Sequence, residues 1–346
     1  MKVAVYEGVG KIRLKQRPEI KIEPGEVLVK IKYCGICGTD LHAFQHEGLL
    51  EPGLVLGHEN VGTVAEIGTG VKGFKVGTRV AVGPPGSCGK CYYCDHGHFA
   101  ICPTGFSRTN GLGPGHDGGM AQYMRVRDPD TMLHPIPDAV SLEDAVLLDT
   151  IAVGLRGMRQ SNFKVGDNVV VSGAGAIGLA TIQFLKISGA RHITVLEPSA
   201  FKRALALKMG ADEALEPIVE GDGVITKIIS RYDGIGADIA FECAGMPQSF
   251  QTILAVVRGA GQVLLLGVSG QATPVIAATL IQREIDIKAS LAYGKDEIRI
   301  CLDFLATGRF DTTDLVSDFI GLDDVLEKGF KRLVNSSDLI KIVLAP

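Results

Sequence analysis

Residues 169–178 read Val-Val-Val-Ser-Gly-Ala-Gly-Ala-Ile-Gly, a β-branched run that leads into a glycine-rich turn. Three consecutive valines predict a short buried strand. Directly after the turn, apolar residues recur at helical spacing over residues 177–187, which predicts a helix. A strand joined to a helix by so short a turn is half of a strand–helix–strand unit, and such units build parallel sheets.

The three glycines of this turn have the spacing Gly-x-Gly-x-x-Gly, and each has a separate physical role. Gly173 permits the tight turn, Gly175 lets backbone N–H groups approach a pyrophosphate, and Gly178 allows the helix to pack closely on the strand. Ala176 and Ile177 open the helix, whose N-terminus carries partial positive charge. With 44 glycines in the chain the spacing alone could arise by chance, but the strand before it and the helix after it favour a dinucleotide-binding site.

The sequence after this turn repeats the alternation of strand and helix. Further strands are predicted at residues 193–196, 238–241, 263–266 and 285–287, with helical segments between them. Right-handed crossovers between such strands give a doubly wound parallel sheet. The sequence therefore predicts an α/β domain of the Rossmann type over residues 152–290.

The part of the chain before this domain has a different pattern. Apolar and polar residues alternate in short runs cut by Gly and Pro, as at residues 27–32, 62–67 and 79–82. This alternation predicts a β-rich domain over residues 1–151. After residue 290 a helical stretch leads to an apolar run at 338–344, which is predicted as a terminal strand. We expect the C-terminal segment, residues 291–346, to rejoin the first domain.

An acidic residue ends the second predicted strand of the α/β domain. Glu197 lies nineteen residues after Gly178, where a carboxylate accepts hydrogen bonds from the adenosine ribose hydroxyls and repels a 2′-phosphate. This placement favours NAD over NADP, although Lys202 and Arg203 nearby would weaken the preference. The alternative is a solvated acid at the start of the next helix, just before Pro198.

Four cysteines crowd a glycine-rich segment of the β-rich domain. They are Cys88, Cys91, Cys94 and Cys102, in the spacing C-x2-C-x2-C-x7-C. Glycines and the pair Pro84-Pro85 surround them, so we expect a lobe at about residues 84–103 that is a loop rather than a strand or a helix. Four thiolates suit a closed, tetrahedral zinc site with a structural role. Disulfides or separately buried thiols are the alternatives, and an intracellular chain keeps its thiols reduced.

Cysteine and histidine also occur in two other short segments, residues 37–42 and 57–59. Either segment alone is typical of buried packing groups. A catalytic zinc takes three protein ligands and keeps one position open, and Cys37 and His58 would be two of the three. The candidate for the third is Asp149, a carboxylate in an apolar stretch that needs a partner there. Alternatively, Asp149 is the N-cap of the helix that follows it.

The composition argues against several classes of partner. A formal net charge of -4 and a pI of about 6.1 give no electrostatic attraction to nucleic acid or to an anionic membrane. An acid at Glu7 comes too early for a secretory leader, and no apolar run reaches the ~20 residues of a membrane span. We therefore expect a cytoplasmic protein without a nucleic-acid or membrane partner.

In this order the motifs resemble those of the zinc-dependent medium-chain dehydrogenase/reductase family, the alcohol and polyol dehydrogenases. The resemblance covers nearly the whole chain and rests on Cys37-Gly-Thr-Asp, Gly57-His58-Glu59-x2-Gly62, the four cysteines, and the glycine turn with its acid. It implies a β-rich GroES-like catalytic domain beside the Rossmann domain. It also implies NAD as the cofactor and two zinc ions per chain, one catalytic and one structural.

The resemblance further implies roles for individual residues. Glu59 would lie beside the catalytic zinc, where it can replace the bound water, and Thr39 and His42 would relay the substrate proton. The residues expected near the nicotinamide are Val153, Ile177 and Val268. A carboxylate at the position of Asp149 is typical of members that oxidise secondary alcohols and polyols and that are commonly tetramers, with a dimer as the alternative.

Two other functions use the same scaffold. A threonine 3-dehydrogenase-like enzyme would oxidise an amino alcohol. A non-catalytic, nucleotide-binding structural protein would have lost zinc ligands, whereas Cys37, His58 and Asp149 are all present. The sequence therefore favours an enzyme that transfers a hydride from a secondary alcohol or polyol to NAD+.

Overall fold

The structure is a computed structural model that describes residues 1–83, 86–217 and 223–346. Pro84 and Pro85, the first residues of the predicted cysteine lobe, lie outside the described residues. The strands are β1 Lys2–Tyr6, β2 Ile12–Gln16, β3 Val27–Gly35, β4 Glu59–Ile67, β5 Arg79–Val82, β6 Tyr123–Val126, β7 Leu133–Pro135, β8 Asn168–Ser172, β9 His192–Leu196, β10 Glu213–Leu215, β11 Ala237–Glu242, β12 Val257–Leu265, β13 Asp286–Ala289, β14 Asp318–Gly321 and β15 Ile342–Ala345.

Helices connect most of these strands. They are α1 Gly38–Gln45, α2 Tyr92–Asp95, α3 Gly105–Arg108, α4 Pro129–Met132, α5 Leu142–Ala145, α6 Leu148–Gln160, α7 Ala176–Ile187, α8 Ala200–Lys208, α9 Gly223–Arg231, α10 Pro247–Val256, α11 Ala277–Arg283, α12 Lys295–Ala306 and α13 Arg332–Asn335. Short 3-10 turns lie at Phe99–Ile101 and Leu322–Asp324, and a π-helical turn lies at Val325–Lys331. Among the described residues, no helix has the length and apolar character needed to cross a membrane.

The chain forms two compact units. One contains Met1–Ala152 together with Ala292–Pro346, and the other contains Val153–Leu291. Each boundary lies one residue C-terminal of the position predicted from the sequence. The C-terminal segment therefore packs with the first unit.

The unit of residues 153–291 is built on a parallel six-stranded sheet in the order β10-β9-β8-β11-β12-β13. The valines at 169–171 in β8 are fully buried, as a strand covered on both faces requires. The strand order reverses direction between β8 and β11, and in doubly wound sheets ligands bind at that reversal, beyond the carboxyl ends of the strands. The predicted Rossmann fold is confirmed.

The other unit is β-rich, as predicted. Its seven-stranded sheet runs β14-β15-β3-β4-β5-β7, with β6 also paired to β3. Strand β3 pairs with β4, β6 and β15, all antiparallel, and its buried side chains alternate with exposed ones before becoming continuous near Gly35. Apolar side chains of β1, β3 and β4 share one core with those of β15. This core fixes the strand ends that carry the candidate catalytic residues.

One predicted strand in this unit starts late, and one predicted loop contains helical turns. The terminal strand predicted at 338–344 is present but begins only at Ile342, because the Ile340 N–H bonds to the Ser317 hydroxyl and not to a neighbouring strand. The strand it joins, β14, was not predicted, because a four-residue strand with Asp and Gly at its ends shows little alternation. The cysteine lobe is also not simply a loop. It contains α2, α3 and a 3-10 turn, in which the carbonyls of Cys91 and Cys102 accept from Asp95 and Gly105.

Candidate catalytic and cofactor sites

A cavity of about 770 Å3 opens at the reversal point of the parallel sheet. Residues that directly follow β8, β9 and β11 line it, among them Gly173, Glu197 and Ala244. These segments come together because parallel strands end at the same edge of the sheet. The cavity has the volume of a cofactor site.

The glycines of the turn have the geometry that a bound pyrophosphate requires. Gly173 has a φ of +94°, and a Cβ there would lie 2.8 Å from the Ala244 nitrogen. A Cβ on Gly178 would lie 2.0 Å from the Gly173 carbonyl oxygen, so helix α7 packs directly on the turn. Gly175 faces open space, with no atom within 4 Å of an ideal Cβ. The first and third glycines are needed for packing, and the second leaves room for the ligand.

The other residues predicted to contact the cofactor are not brought to this cavity. Gly173, Gly175 and Glu197 line the cavity. The described residues that line it do not include Ala176, Ile177, Gly178, Val153 or Val268. Ala176 and Ile177 form the first turn of α7, and Val268 is 66% exposed just beyond β12. The contacts of Val153, Ile177 and Val268 with a nicotinamide stay predictions.

Glu197 is a buried acid and not a solvated one. It is 7% exposed, its Oε2 accepts from the Ala174 N–H at 2.8 Å, and its Oε1 accepts from the Ser199 N–H at 2.9 Å. Each carboxylate oxygen can accept a further hydrogen bond. Glu197 therefore anchors the glycine turn and still offers acceptors to a ribose.

The two nearby cations differ in their availability. Arg203 donates from Nη1 to the carbonyls of Glu197 and Pro198, at 2.8 and 2.6 Å. Lys202 lines the cavity. Of these two residues, Lys202 is the one placed to attract an additional phosphate.

The four cysteines of the lobe form a compact cluster of sulfur atoms. All four Sγ atoms lie within 4.8 Å of one another, and three of the separations are 3.5, 3.9 and 4.0 Å. A tetrahedron with Zn–S bonds of about 2.3 Å has sulfur atoms about 3.8 Å apart. A disulfide needs a separation of about 2.05 Å, so these distances fit a metal and not disulfides.

Hydrogen bonds prepare one of these sulfurs for the thiolate form. Burial raises the pKa of Cys102, but bonds from the Thr104 hydroxyl and the Cys88 N–H outweigh it and lower the pKa to about 6. Thiolates are the form that binds zinc. The donor set is complete with four protein sulfurs, which leaves no position for a substrate.

The three predicted ligands of the catalytic zinc, Cys37, His58 and Asp149, lie near one another in the first unit. Among the described residues, the four lobe cysteines alone have all their ligand atoms within 4.8 Å of one another, so this second metal site stays a prediction. Cys37 is the N-cap of α1, His58 directly precedes β4, and Asp149 lies in the first turn of α6. Burial lowers the pKa of His58, but the nearby Cys37 sulfur and acidic side chains, Asp149 among them, raise it well above its ordinary value. His58 and Asp149 also line one small cavity of about 10 Å3. Three candidate ligands from distant parts of the chain therefore lie in one region of the first unit.

The alternative role for Asp149 as an N-cap is wrong. Helix α6 begins at Leu148, so Asp149 lies inside it, and its carboxylate accepts a hydrogen bond from the Tyr293 hydroxyl at 2.5 Å. Burial and the nearby Glu59 carboxylate raise the pKa of Asp149 to about 6. Acidic groups crowded at a buried place fit a divalent cation, which would offset their charge.

Asp40 lies close to two of the candidate ligands, Cys37 and His58. Its Oδ2 accepts from the Cys37 N–H at 3.0 Å, and its Oδ1 lies 3.8 Å from Nδ1 of His58. These two facing atoms have no other partner among the described residues. A carboxylate on one imidazole nitrogen orients the other nitrogen towards a metal. The spacing of Cys37 and Asp40 as a capping box was the signal that could have found Asp40 in the sequence.

Glu59 lies beside this cluster but is held by a lysine. Both of its oxygens contact Nζ of Lys341, at 2.6 and 2.5 Å, and Thr150 donates to Oε1 at 3.3 Å. Glu59 and Lys341 are 2% and 4% exposed. In this conformation Glu59 forms a buried ion pair, so its expected contact with the metal stays a prediction and requires this pair to loosen.

The predicted proton relay starts at the metal cluster. Thr39 and His42 are three residues apart on α1 and so lie on the same face of that helix. The Thr39 hydroxyl is 3.8 Å from the Cys37 sulfur. The proximity of Thr39 fits its predicted role, and the path onward to His42 stays a prediction.

Comparison with known proteins places both units in one family. The model of the alcohol dehydrogenase GroES-like domain matches residues 23–138, and the model of the zinc-binding dehydrogenase matches residues 176–307. Sorbitol dehydrogenase of Bacillus subtilis is 32% identical over 352 aligned positions, which cover 100% of this chain and 97% of that protein.

Solved structures agree over the full length. The crystal structure of 2R,3R-butanediol dehydrogenase from B. subtilis superposes with a TM-score of 0.89 at 31% identity, covering 100% of this chain and 99% of that one. A zinc-binding dehydrogenase from Sinorhizobium meliloti, bound to NADP, gives a TM-score of 0.90 at 29% identity with the same coverage. The chain therefore belongs to the zinc-dependent medium-chain dehydrogenases, the family of alcohol and polyol dehydrogenases.

Proposed function

We propose that this protein oxidises a secondary alcohol or polyol to a ketone, reversibly, with NAD+ as the hydride acceptor. The observation that carries the proposal is that Asp149 and His58 line one small cavity, with the Cys37 sulfur near enough to His58 to raise its pKa. A sulfur, an imidazole and a carboxylate are three ligands of a catalytic zinc with one open position. The similarity to a sorbitol dehydrogenase and a butanediol dehydrogenase supports the substrate class.

The residues of the cluster would divide the work as follows. Cys37, His58 and Asp149 would hold the metal, and Asp40, which accepts from the Cys37 N–H, would attract Nδ1 of the His58 imidazole 3.8 Å away. Bound zinc supplies a Lewis acid that lowers the pKa of the substrate hydroxyl. Thr39 would accept the hydroxyl proton at Oγ1 while its own proton passes through a ribose hydroxyl of the cofactor to His42, which would release a proton to solvent.

The cavity of about 10 Å3 beside the candidate ligands has room for about one water molecule. Thr109 and Asn110 line it together with His58 and Asp149. Nδ2 of Asn110 donates to the carbonyls of Asp117 and Arg125, at 2.8 and 2.9 Å, which fixes the orientation of the amide. Its Oδ1 is buried and has no partner among the described residues. A buried acceptor left unpaired costs about 1–3 kcal/mol, so a hydrogen-bond donor such as a water molecule would be favoured there.

A substrate panel tests this assignment. With NAD+ as the oxidant, we expect the highest kcat/KM for a polyol or vicinal diol such as sorbitol, xylitol or 2,3-butanediol, a lower value for 2-butanol, and the lowest for primary alcohols. A preference for L-threonine would instead establish the amino-alcohol alternative. Protein that holds two zinc ions per chain and reduces NAD+ with none of these compounds would refute the proposal.

The choice of NAD rests on Glu197. Its two oxygens offer acceptors at the edge of the cavity, and its charge would repel a 2′-phosphate. One solved relative is bound to NADP and another is complexed with NADH, so members of this fold take either cofactor, and Lys202 would favour a phosphate. The burial of Glu197 and its direct contact with the glycine turn support the assignment to NAD.

We expect Glu197→Ala to raise the Kd for NAD+ by about 10- to 100-fold, because hydrogen bonds to a charged group contribute about 1.5–3 kcal/mol. Glu197→Gln should keep part of the affinity, since Oε1 still accepts, but lose the discrimination against NADP+. Glu216→Ala is the matched control, since Glu216 contacts Arg203 on the exposed side of the same segment. A wild-type protein that already prefers NADP+ would show that Glu197 does not set the choice.

We further infer a homo-oligomer, a tetramer in preference to a dimer, located in the cytoplasm. The carboxylate ligand supports the tetramer through the family resemblance. The cysteine sulfurs support a reducing compartment, because all eight cysteines are free. The mass of the native protein in solution tests the oligomeric state.

A further inference from the structure

We propose that Tyr293 is a positioning residue for the catalytic metal: its hydroxyl holds one oxygen of Asp149 and so directs the other oxygen to the zinc. The inference rests on the proposed function, because it requires Asp149 to be a ligand. Tyr293 lies in none of the sequence motifs and directly follows the return of the chain to the first unit at Ala292.

The contact is direct and enclosed. The Tyr293 hydroxyl donates to Oδ1 of Asp149 at 2.5 Å, and Tyr293 is 3% exposed. A carboxylate only accepts, so the phenol is the donor and the direction of the bond is fixed. Water has little access to compete for either group, which strengthens the bond.

Gly83 provides the space for this hydroxyl. An ideal Cβ at Gly83 would lie 2.7 Å from the hydroxyl oxygen of Tyr293 and 3.6 Å from Cδ1 of Ile298. Any side chain at residue 83 would therefore press on the phenol. Gly83 and Tyr293 also line the cavity that contains His58 and Asp149. The backbone directly after β5, the Tyr293 phenol and the Asp149 carboxylate therefore pack against one another.

The hydrogen bond has a consequence for the way Asp149 binds a metal. Because the phenol holds Oδ1, the carboxylate is fixed in one orientation, and Oδ2 is the oxygen that is free of this hydrogen bond and would coordinate the metal. Outer partners of metal ligands typically change metal affinity or activity by about 10- to 100-fold when removed. Without the bond the carboxylate would rotate and exchange between one-oxygen and two-oxygen binding.

The test compares Tyr293→Phe with Tyr33→Phe in the full-length, zinc-loaded protein. Tyr33 is a matched control, since its hydroxyl also donates to a carboxylate of the same unit, Oε1 of Glu143 at 2.7 Å. We expect Tyr293→Phe to lower the affinity for one of the two zinc ions by about 10- to 100-fold in competition with a chelator. The d–d spectrum of the cobalt-substituted catalytic site should also change. Tyr33→Phe should match wild type in both measurements.

Gly83→Ala provides a second variant that keeps the hydroxyl but displaces it. It should shift zinc affinity and the cobalt spectrum in the same direction as Tyr293→Phe, and it decides the question if Tyr293→Phe does not fold. Wild-type affinity together with a wild-type cobalt spectrum in the deciding variant overturns the inference.

Asp149→Asn, measured in parallel, separates this inference from the proposed function. If Asp149→Asn loses one zinc while Tyr293→Phe behaves as wild type, only the role of Tyr293 is wrong. If Asp149→Asn keeps both zinc ions, the ligand assignment itself is wrong and the role of Tyr293 fails with it.

Discussion

Asp149→Asn should lose the catalytic zinc and nearly all activity while the four-cysteine site stays full. Asparagine keeps the shape of the side chain but removes the negative charge that offsets the metal. The metal contributes several kcal/mol of charge stabilisation in the transition state, so turnover should fall about a thousandfold or more. Zinc content per chain and kcat, measured on the same preparation, check this result.

Asp144→Asn is the matched control for that variant. Asp144 lies in α5, and its Oδ1 accepts from the Thr312 hydroxyl at 2.5 Å, so it is also a hydrogen-bonded acid of the first unit. It should retain both zinc ions and wild-type turnover. Two zinc ions and near-normal activity in Asp149→Asn would remove Asp149 from the site, and the carboxylate-based case for a secondary alcohol or polyol with it.

Cys91→Ser should damage folding rather than chemistry. Its sulfur is 3.5 Å from that of Cys94 and 3.9 Å from that of Cys102, so the substitution removes one of the four sulfur ligands. Structural zinc sites contribute binding free energy on the order of 10 kcal/mol to folding in small zinc domains. We expect less soluble protein, a lower Tm, and the loss of one zinc per chain.

Cys37→Ser distinguishes the two metal sites. It should also lose one zinc, but remain folded, bind NAD+ with wild-type affinity and lack activity, because Cys37 belongs to the other cluster. A Cys91→Ser protein with a wild-type Tm and two zinc ions would show that Cys91 is not a required ligand of the lobe's metal.

The motifs that the sequence made visible are local. The glycine turn and its flanking elements span only residues 169–187, and the four cysteines span residues 88–102, so spacing along the chain predicted both sites. The sequence also predicted that Cys37 and His58 share a site, because each lies in a short segment that belongs to the same set of motifs.

Contacts between distant residues left no comparable pattern. Tyr293 and Asp149 are 144 positions apart, and Lys341 and Glu59 are 282 apart. A buried lysine and a tyrosine carry no local mark that separates them from packing or surface residues. The chain returns to its first unit only after the whole Rossmann unit, so these partners meet through the fold alone.

The cysteine lobe shows a related limit. Its glycines correctly indicated sharp changes of direction, but the spacing between them still allows single helical turns such as α2. When a metal holds the four sulfurs at fixed separations, the residues between the cysteines must form short turns. Composition alone does not distinguish such turns from loop.

The central claim is that a hydride passes directly from the carbinol carbon of a secondary alcohol or polyol to NAD+. The most direct measurement uses the best substrate of the panel with deuterium on that carbon, and follows the label by mass spectrometry. We predict that the reduced cofactor carries one deuterium, with a slowed turnover, and that removal of the catalytic zinc abolishes the transfer. Reduced NAD without deuterium, or equal transfer by the zinc-free protein, would contradict the account.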